Sequence, residues 1–162
     1  MVRILLLAIC TSILMVLASH TAQAGDAPEM RYREADGTVK SPDFSAHKLT
    51  AVHFWATWCV PCIDELPEID QTIKNYEGRG LLIVPIAMEN NVGRIEEFFA
   101  KHKLERIKPY RDDGITSFKS LGIRGLPTTV FFDSSGKEVS RAEGPMPWLH
   151  DNNISFLDSK LK

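Results

Sequence analysis

The apolar positions change period along the chain. Leu49–Trp55 (LTAVHFW) is a run of strand-forming residues broken by one histidine,. Past Trp58 the spacing turns helical: Ile63, Leu66, Ile69 and Ile73 predict a helix over about Pro61–Tyr76,. Pro61 falls in its first turn, where a missing N–H costs nothing, Pro67 predicts a kink, and Gly78 and Gly80 end it,. Leu81–Met88 (LLIVPIAM) reads as a buried strand, with Pro85 awkward for a central position,. Val92–Lys103 is a helix turning Ile95, Phe98 and Phe99 inward. Then come a short strand (Arg106–Asp112), a short helix (Gly114–Leu121), a strand (Pro127–Phe132) that turns through Ser134–Lys137 into Glu138–Glu143, and a closing helix (Trp148–Leu161). Upstream, Asp36-Gly37 marks a hairpin between Arg31–Ala35 and Thr38–Lys40, and Ser41-Pro42-Asp43 marks a second turn,.

Strands alternating with helices, followed by a hairpin and a helix, predict an α/β fold. Its central sheet is mixed, with helices on both faces, an N-terminal hairpin and an additional βα unit after the first long helix. A chain of 162 residues has room for one domain with a real core,. The net charge of −2 carries no nucleic-acid footprint,. Met1–Ala24 differs from the rest: Arg3 is its only charge, Ile4–Ala18 is an apolar run short for a bilayer, and Ala22-Gln23-Ala24 is a small-residue exit,. The expected organisation is a signal peptide over 1–24, a leader and hairpin over 25–48, and the main domain over 49–162. The protein would be periplasmic or otherwise extracytoplasmic, and membrane-tethered if the segment stays attached. Cys10 sits mid-run and reads as filler.

The other two cysteines, Cys59 and Cys62, lie in Trp58-Cys59-Val60-Pro61-Cys62 at a predicted strand-to-helix junction. Two thiols at this spacing can exchange disulfides, hold a metal or staple a turn. A loop this small constrains little of an unfolded chain, which disfavours the staple. Structural zinc takes four ligands, and neither a second CxxC nor a close histidine pair is present, so no metal is expected,; a two-thiolate Cu(I) carrier stays open. Free N–H groups at the helix start favour a thiolate at Cys59, with Cys62 one turn deeper and acting second. A redox CxxC between the first long strand and its helix is what a thioredoxin-like fold shows.

Phe54–Cys62 (FWATWCVPC), followed by Glu65-Leu66-Pro67, resembles the active-site segment of the exported TlpA/ResA-type thioredoxin-like thiol–disulfide oxidoreductases, relatives of the thioredoxins of cytochrome c maturation. The likeness continues through Gly125-Leu126-Pro127-Thr128-Thr129 and Ser135-Gly136-Lys137 and covers most of Leu49–Lys162. It implies Cys59 as attacking thiol, Cys62 as resolving thiol, and Pro127 as a cis-proline facing the pair, leaving the Leu126 backbone to bind an extended substrate with Trp58 at the rim. It implies no bound cofactor beyond the redox pair. The partners would be exported disulfide proteins, among them cytochrome c or copper-site proteins, with a membrane thiol reductase as electron donor and a monomeric enzyme. An oxidase or isomerase of folding proteins is the opposite direction, which the cysteine segment leaves open. His53 departs from the pattern, standing where ordinary thioredoxins carry a buried acid. His53, Glu65 and Glu89 are candidates for proton relay or tuning; a buried, hydrogen-bonded histidine and a solvated glutamate are the plainer readings.

Overall fold

The computed structural model describes residues 27–162, so the expected signal segment lies outside the described residues. Seven strands form one sheet: β1 (Tyr32–Arg33), β2 (Val39–Lys40), β3 (Leu49–Trp55), β4 (Leu81–Ala87), β5 (Tyr110–Asp112), β6 (Thr128–Asp133) and β7 (Glu138–Glu143). Their spatial order is β2-β1-β5-β4-β3-β6-β7. β3, β4 and β5 run parallel, while β6, β7 and the β1–β2 hairpin pair antiparallel. The helices are α1 (Val60–Asn75), α2 (Val92–His102), α3 (Thr116–Ser120) and α4 (Asp151–Lys160).

Every residue of β3 is buried, because this strand lies mid-sheet with both faces covered,. Its alternation divides the core. Ala51 and Trp55 point into a cluster with Cys62, Leu66 and Ile69 of α1, Ile95 and Phe99 of α2 and Leu157 of α4. Val52 and Phe54 point into a second cluster closed by Leu121, Ile123 and, at its edge, Phe118 of α3. Helices therefore cover both faces.

Pro85 does sit inside a central strand, opposite His53. The Met88 N–H donates to the Trp55 carbonyl (2.8 Å), so by alternation position 85 faces away from β3,. On that side β5 pairs only from Ile86 onward, so the missing N–H interrupts no ladder bond,. Pro67 lies inside α1, which runs unbroken from 60 to 75. Two boundaries need correction. Strand β5 is confined to Tyr110–Asp112, because Arg106 and Ile107 instead donate their N–H groups to the Asp70 carboxylate (2.7 and 3.1 Å). Helix α4 begins at Asp151, three residues after Trp148, because His150 caps it and Pro145 and Pro147 hold the approach out of helical geometry,. The N-terminal hairpin also joins the main sheet: β1 pairs with β5 and Tyr32 packs against Tyr110 at 4.6 Å.

Candidate active site

Strand β3 ends at Trp55, and a tight turn follows, closed by the Cys59 N–H donating to the Ala56 carbonyl (3.1 Å). The turn places Cys59 at the N-cap of α1 with extended backbone and no side-chain cap of its own. Cys62 lies one turn further in, and the two sulfurs are joined in a disulfide with Cα atoms 5.3 Å apart. Cys62 is fully buried, whereas Cys59 retains 6% exposure, so of the pair only Cys59 reaches the surface. The uncapped N–H groups of the helix start lie around it, an environment that favours negative charge.

Cys59 opens into an apolar groove of about 680 Å³ whose walls include Trp58, Val60, Met88, Phe118 and Leu126. Trp58 and Val60 are 66% and 69% exposed, unusual for large apolar side chains and expected of a docking rim,. The opposite wall is the Gly125–Leu126 segment, where the Leu126–Pro127 bond is cis. The Thr128 hydroxyl donates to the Gly125 carbonyl (2.8 Å) and the Gly144 N–H to the Pro127 carbonyl (2.9 Å). Among the described residues no hydrogen bond engages the Leu126 backbone.

Beneath the pair lies a buried polar couple. His53 on β3 is fully buried, its Nδ1 is 2.9 Å from the Thr129 hydroxyl, and its Nε2 has no hydrogen-bond partner. That nitrogen is 3.9 Å from Glu65 Oε2 on α1, too far for a hydrogen bond,. The other oxygen, Glu65 Oε1, accepts the Met146 N–H. Burial lowers the His53 pKa to about 3. Burial also raises the Glu65 pKa to about 7; neighbouring Glu68 adds to this and the Met146 N–H opposes it. Between about pH 3 and pH 7 both groups are therefore uncharged,. Trp148 packs edge-on against the imidazole at 6.1 Å.

Glu89 stands apart from this couple, just past the C-terminal end of β4. Its Oε1 accepts the Thr57 hydroxyl (2.7 Å) within the turn that carries Cys59, and Arg94 lies 3.6 Å away. Trp58, Cys59 and Leu126 thus meet at one groove with Pro127 adjoining and Cys62 buried behind Cys59, His53 and Glu65 form a separate buried couple, and Glu89 flanks the turn. Sequence reasoning did not single out Met88, Phe118, Met146 or Trp148. Met88 had a signal, because ligand-contacting residues gather at the carboxyl ends of parallel strands. Met146 had none: it reaches Glu65 across 81 residues of chain.

A mixed sheet, a CxxC at the start of the helix after its central strand and a cis-proline loop opposite define the thioredoxin class. The chain belongs to the thioredoxin-like family: the model of the thioredoxin-like domain matches residues 45–148. It is similar to the thiol-disulfide oxidoreductase ResA of Bacillus thuringiensis, 26% identical over 120 residues that span 74% of this chain and 68% of the relative. It is likewise similar to the thiol:disulfide interchange protein HelX of Rhodobacter capsulatus, 27% identical over 132 residues, 80% of this chain and 73% of that one. The crystal structure of a thiol:disulfide interchange protein DsbE from Chlorobium tepidum shares the fold at a TM-score of 0.71 and 23% identity, covering 84% of this chain and 95% of that one. StoA from Bacillus subtilis does so at 0.66 and 22% identity, covering 86% and 99%. The protein is a thioredoxin-like thiol–disulfide oxidoreductase built on the Cys59–Cys62 pair.

Proposed function

We propose that the protein reduces disulfides of selected proteins outside the cytoplasm, with Cys59 as nucleophile and Cys62 as resolving thiol. The observation that carries this is the placement of Cys59: it is the member of the pair that reaches the surface, at a helix N-terminus, lining an apolar groove opposite the unpaired backbone of Leu126. The Cys59 thiolate attacks one sulfur of the partner's disulfide; a mixed disulfide forms and the partner's other sulfur leaves as a thiolate. The Cys62 thiolate then attacks the Cys59 sulfur. The partner departs with two thiols and the enzyme keeps the two oxidising equivalents as the Cys59–Cys62 disulfide. An extended partner strand pairs with the Leu126 backbone, and Trp58 covers it. Pro127 holds the Leu126 carbonyl and N–H at the groove wall.

For resolution Cys62 must lose a proton within a dry core. Glu65, one helical turn after Cys62 on α1 and coupled to His53, is placed to take and return it, and its raised pKa suits that role near neutral pH,. Recharging requires two electrons from outside the molecule, for which a membrane thiol reductase is the expected donor. The signal-like segment over residues 1–24 supports an extracytoplasmic site of action; among the described residues no helix is long and apolar enough to cross a membrane. Candidate partners are apocytochrome c and copper-site proteins.

Trapping tests the mechanism. Cys62→Ser, expressed in the native compartment, is expected to accumulate discrete disulfide-linked partners through Cys59. An empty trap with Cys59 still thiol-reactive would refute the exchange role. A reduction potential at the oxidising end of the roughly −270 to −120 mV span of related folds would reverse the direction.

A further inference from the structure

The apolar groove at Cys59 does not end at Met88. That residue also walls a second recess of about 300 Å³, lined by Glu89, Asn90, Asp112 and Ile115. Its chemistry is different. The Glu89 side chain is only 6% exposed, and its Oε2 is buried without a hydrogen-bond partner, which is costly for a carboxylate unless a cation completes it,. Thr57 and Arg94 both address the other oxygen, Oε1. Asp112 adds a second carboxylate, although its oxygens already accept the Ser117 and Phe118 N–H groups (3.1 and 2.9 Å). The Arg94 side chain is 66% exposed, so it answers Glu89 from solvent and can swing away. The rim carries Ile115, 45% exposed and held at φ +60°, a conformation a β-branched residue adopts at a cost,. Exposed Trp58 and Val60 at the groove and exposed Ile115 at the recess thus flank two compartments that share Met88 as a wall.

Resting on the disulfide-exchange reading above, we propose that the recess is a specificity subsite for a lysine or arginine of the partner polypeptide. Its ligand is a basic side chain a few residues from the reacting cysteine, passing Met88 and taking the place of Arg94 at the Glu89 carboxylate. The occupant of both compartments is then an extended segment that presents its cysteine and an apolar residue to the groove and a cation to the recess. Charge complementarity selects it, because the groove wall itself carries no charged side chain and the Glu89 carboxylate, with one oxygen left unpartnered, lies just beyond it,.

The test uses the reduced enzyme and a series of short peptides, each with one cysteine blocked as a mixed disulfide with glutathione. A single lysine is moved from three positions before the cysteine to three after it, with glutamine at each place as control. Thiol release in a single turnover of the reduced enzyme gives the second-order rate constant for each. The expected result is a preference on the order of tenfold for lysine over glutamine at one or two positions only, shrinking with added salt. Glu89→Gln, whose amide oxygen still accepts the Thr57 hydroxyl, is expected to bring that ratio close to one. Arg94→Gln, which removes the competing cation, is expected to raise it. A ratio near one at every position in the unaltered enzyme, or a preference that survives Glu89→Gln, overturns the subsite while leaving disulfide exchange intact. Failure of every peptide to react overturns the exchange reading itself.

Discussion

Glu65→Gln should convert a flat stretch of the stability–pH curve into a sloped one. His53 titrates near 6.5 in an unfolded chain and at about 3 in the fold. Glu65 titrates near 4.5 unfolded and at about 7 folded. Between pH 4.5 and 6.5 the unfolded pair holds one proton, on histidine, and the folded pair also holds one, on glutamate. Protons bound are equal in the two states, so the pair adds no pH dependence there. Each member alone would do otherwise. A histidine with a depressed folded pKa makes stability rise with pH, because the unfolded state binds the extra proton below 6.5. A glutamate with a raised folded pKa makes stability fall as pH rises towards 7, because the folded state keeps the extra proton. Each slope is about 1.4 kcal/mol per pH unit, and both groups are too buried for solvent to screen,. Glu65→Gln therefore leaves the histidine slope uncompensated, a gain of roughly 3 kcal/mol from pH 4.5 to 6.5 relative to the unaltered protein. His53→Gln should slope the other way by a similar amount. Urea unfolding of the disulfide form at pH 4.5, 5.5 and 6.5, read as differences between variant and parent, measures this directly. Parallel curves for parent and Glu65→Gln would refute the compensation, since Glu65 would then not be taking up the proton that His53 lacks.

Three further outcomes follow from packing and backbone geometry. Trp148→Ala should cost about 3–5 kcal/mol in urea unfolding, because the indole is fully buried between His53 and Phe131 although it lies outside any helix,. Ile115→Asn should raise the unfolding free energy by about 1 kcal/mol, since asparagine tolerates the left-handed conformation at φ +60° and an isoleucine 45% exposed gives up little burial,; unchanged or lower stability would show that the apolar contacts outweigh the backbone cost. Trp58→Ala should move stability by no more than about 0.5 kcal/mol while lowering kcat/KM for peptide disulfides, because its ring is two-thirds exposed and walls the groove rather than the core,; a large loss of stability would contradict that placement.

Much of the fold was legible because it is written in local periodicity. LTAVHFW announces a central strand, and the spacing of Leu66 and Ile69 announces the helix that covers it. Turn residues such as Asp36-Gly37 set the hairpins. Errors came where a distant group claimed a backbone atom. Asp70 takes the N–H groups of Arg106 and Ile107 away from a longer β5, and no local pattern records that. Pro85 looked wrong for an interior strand because its neighbours on the β5 side were unknown.

The same division runs through the site. Sequence alone determined that Cys59 and Cys62 would share one helical turn after a strand, because residues three apart at a helix start are held together by local geometry. It also marked His53, Glu65 and Glu89 as chemically capable. Only the tertiary structure decided what they face. His53 and Glu65 lie on different elements and become a couple because α1 packs over β3, with Met146 closing over Glu65 from a loop 81 residues away. Glu89 instead turns to Thr57 and a recess of its own. Burial, which sets their charge, depends on the whole assembled core, and no stretch of chain carries that information by itself.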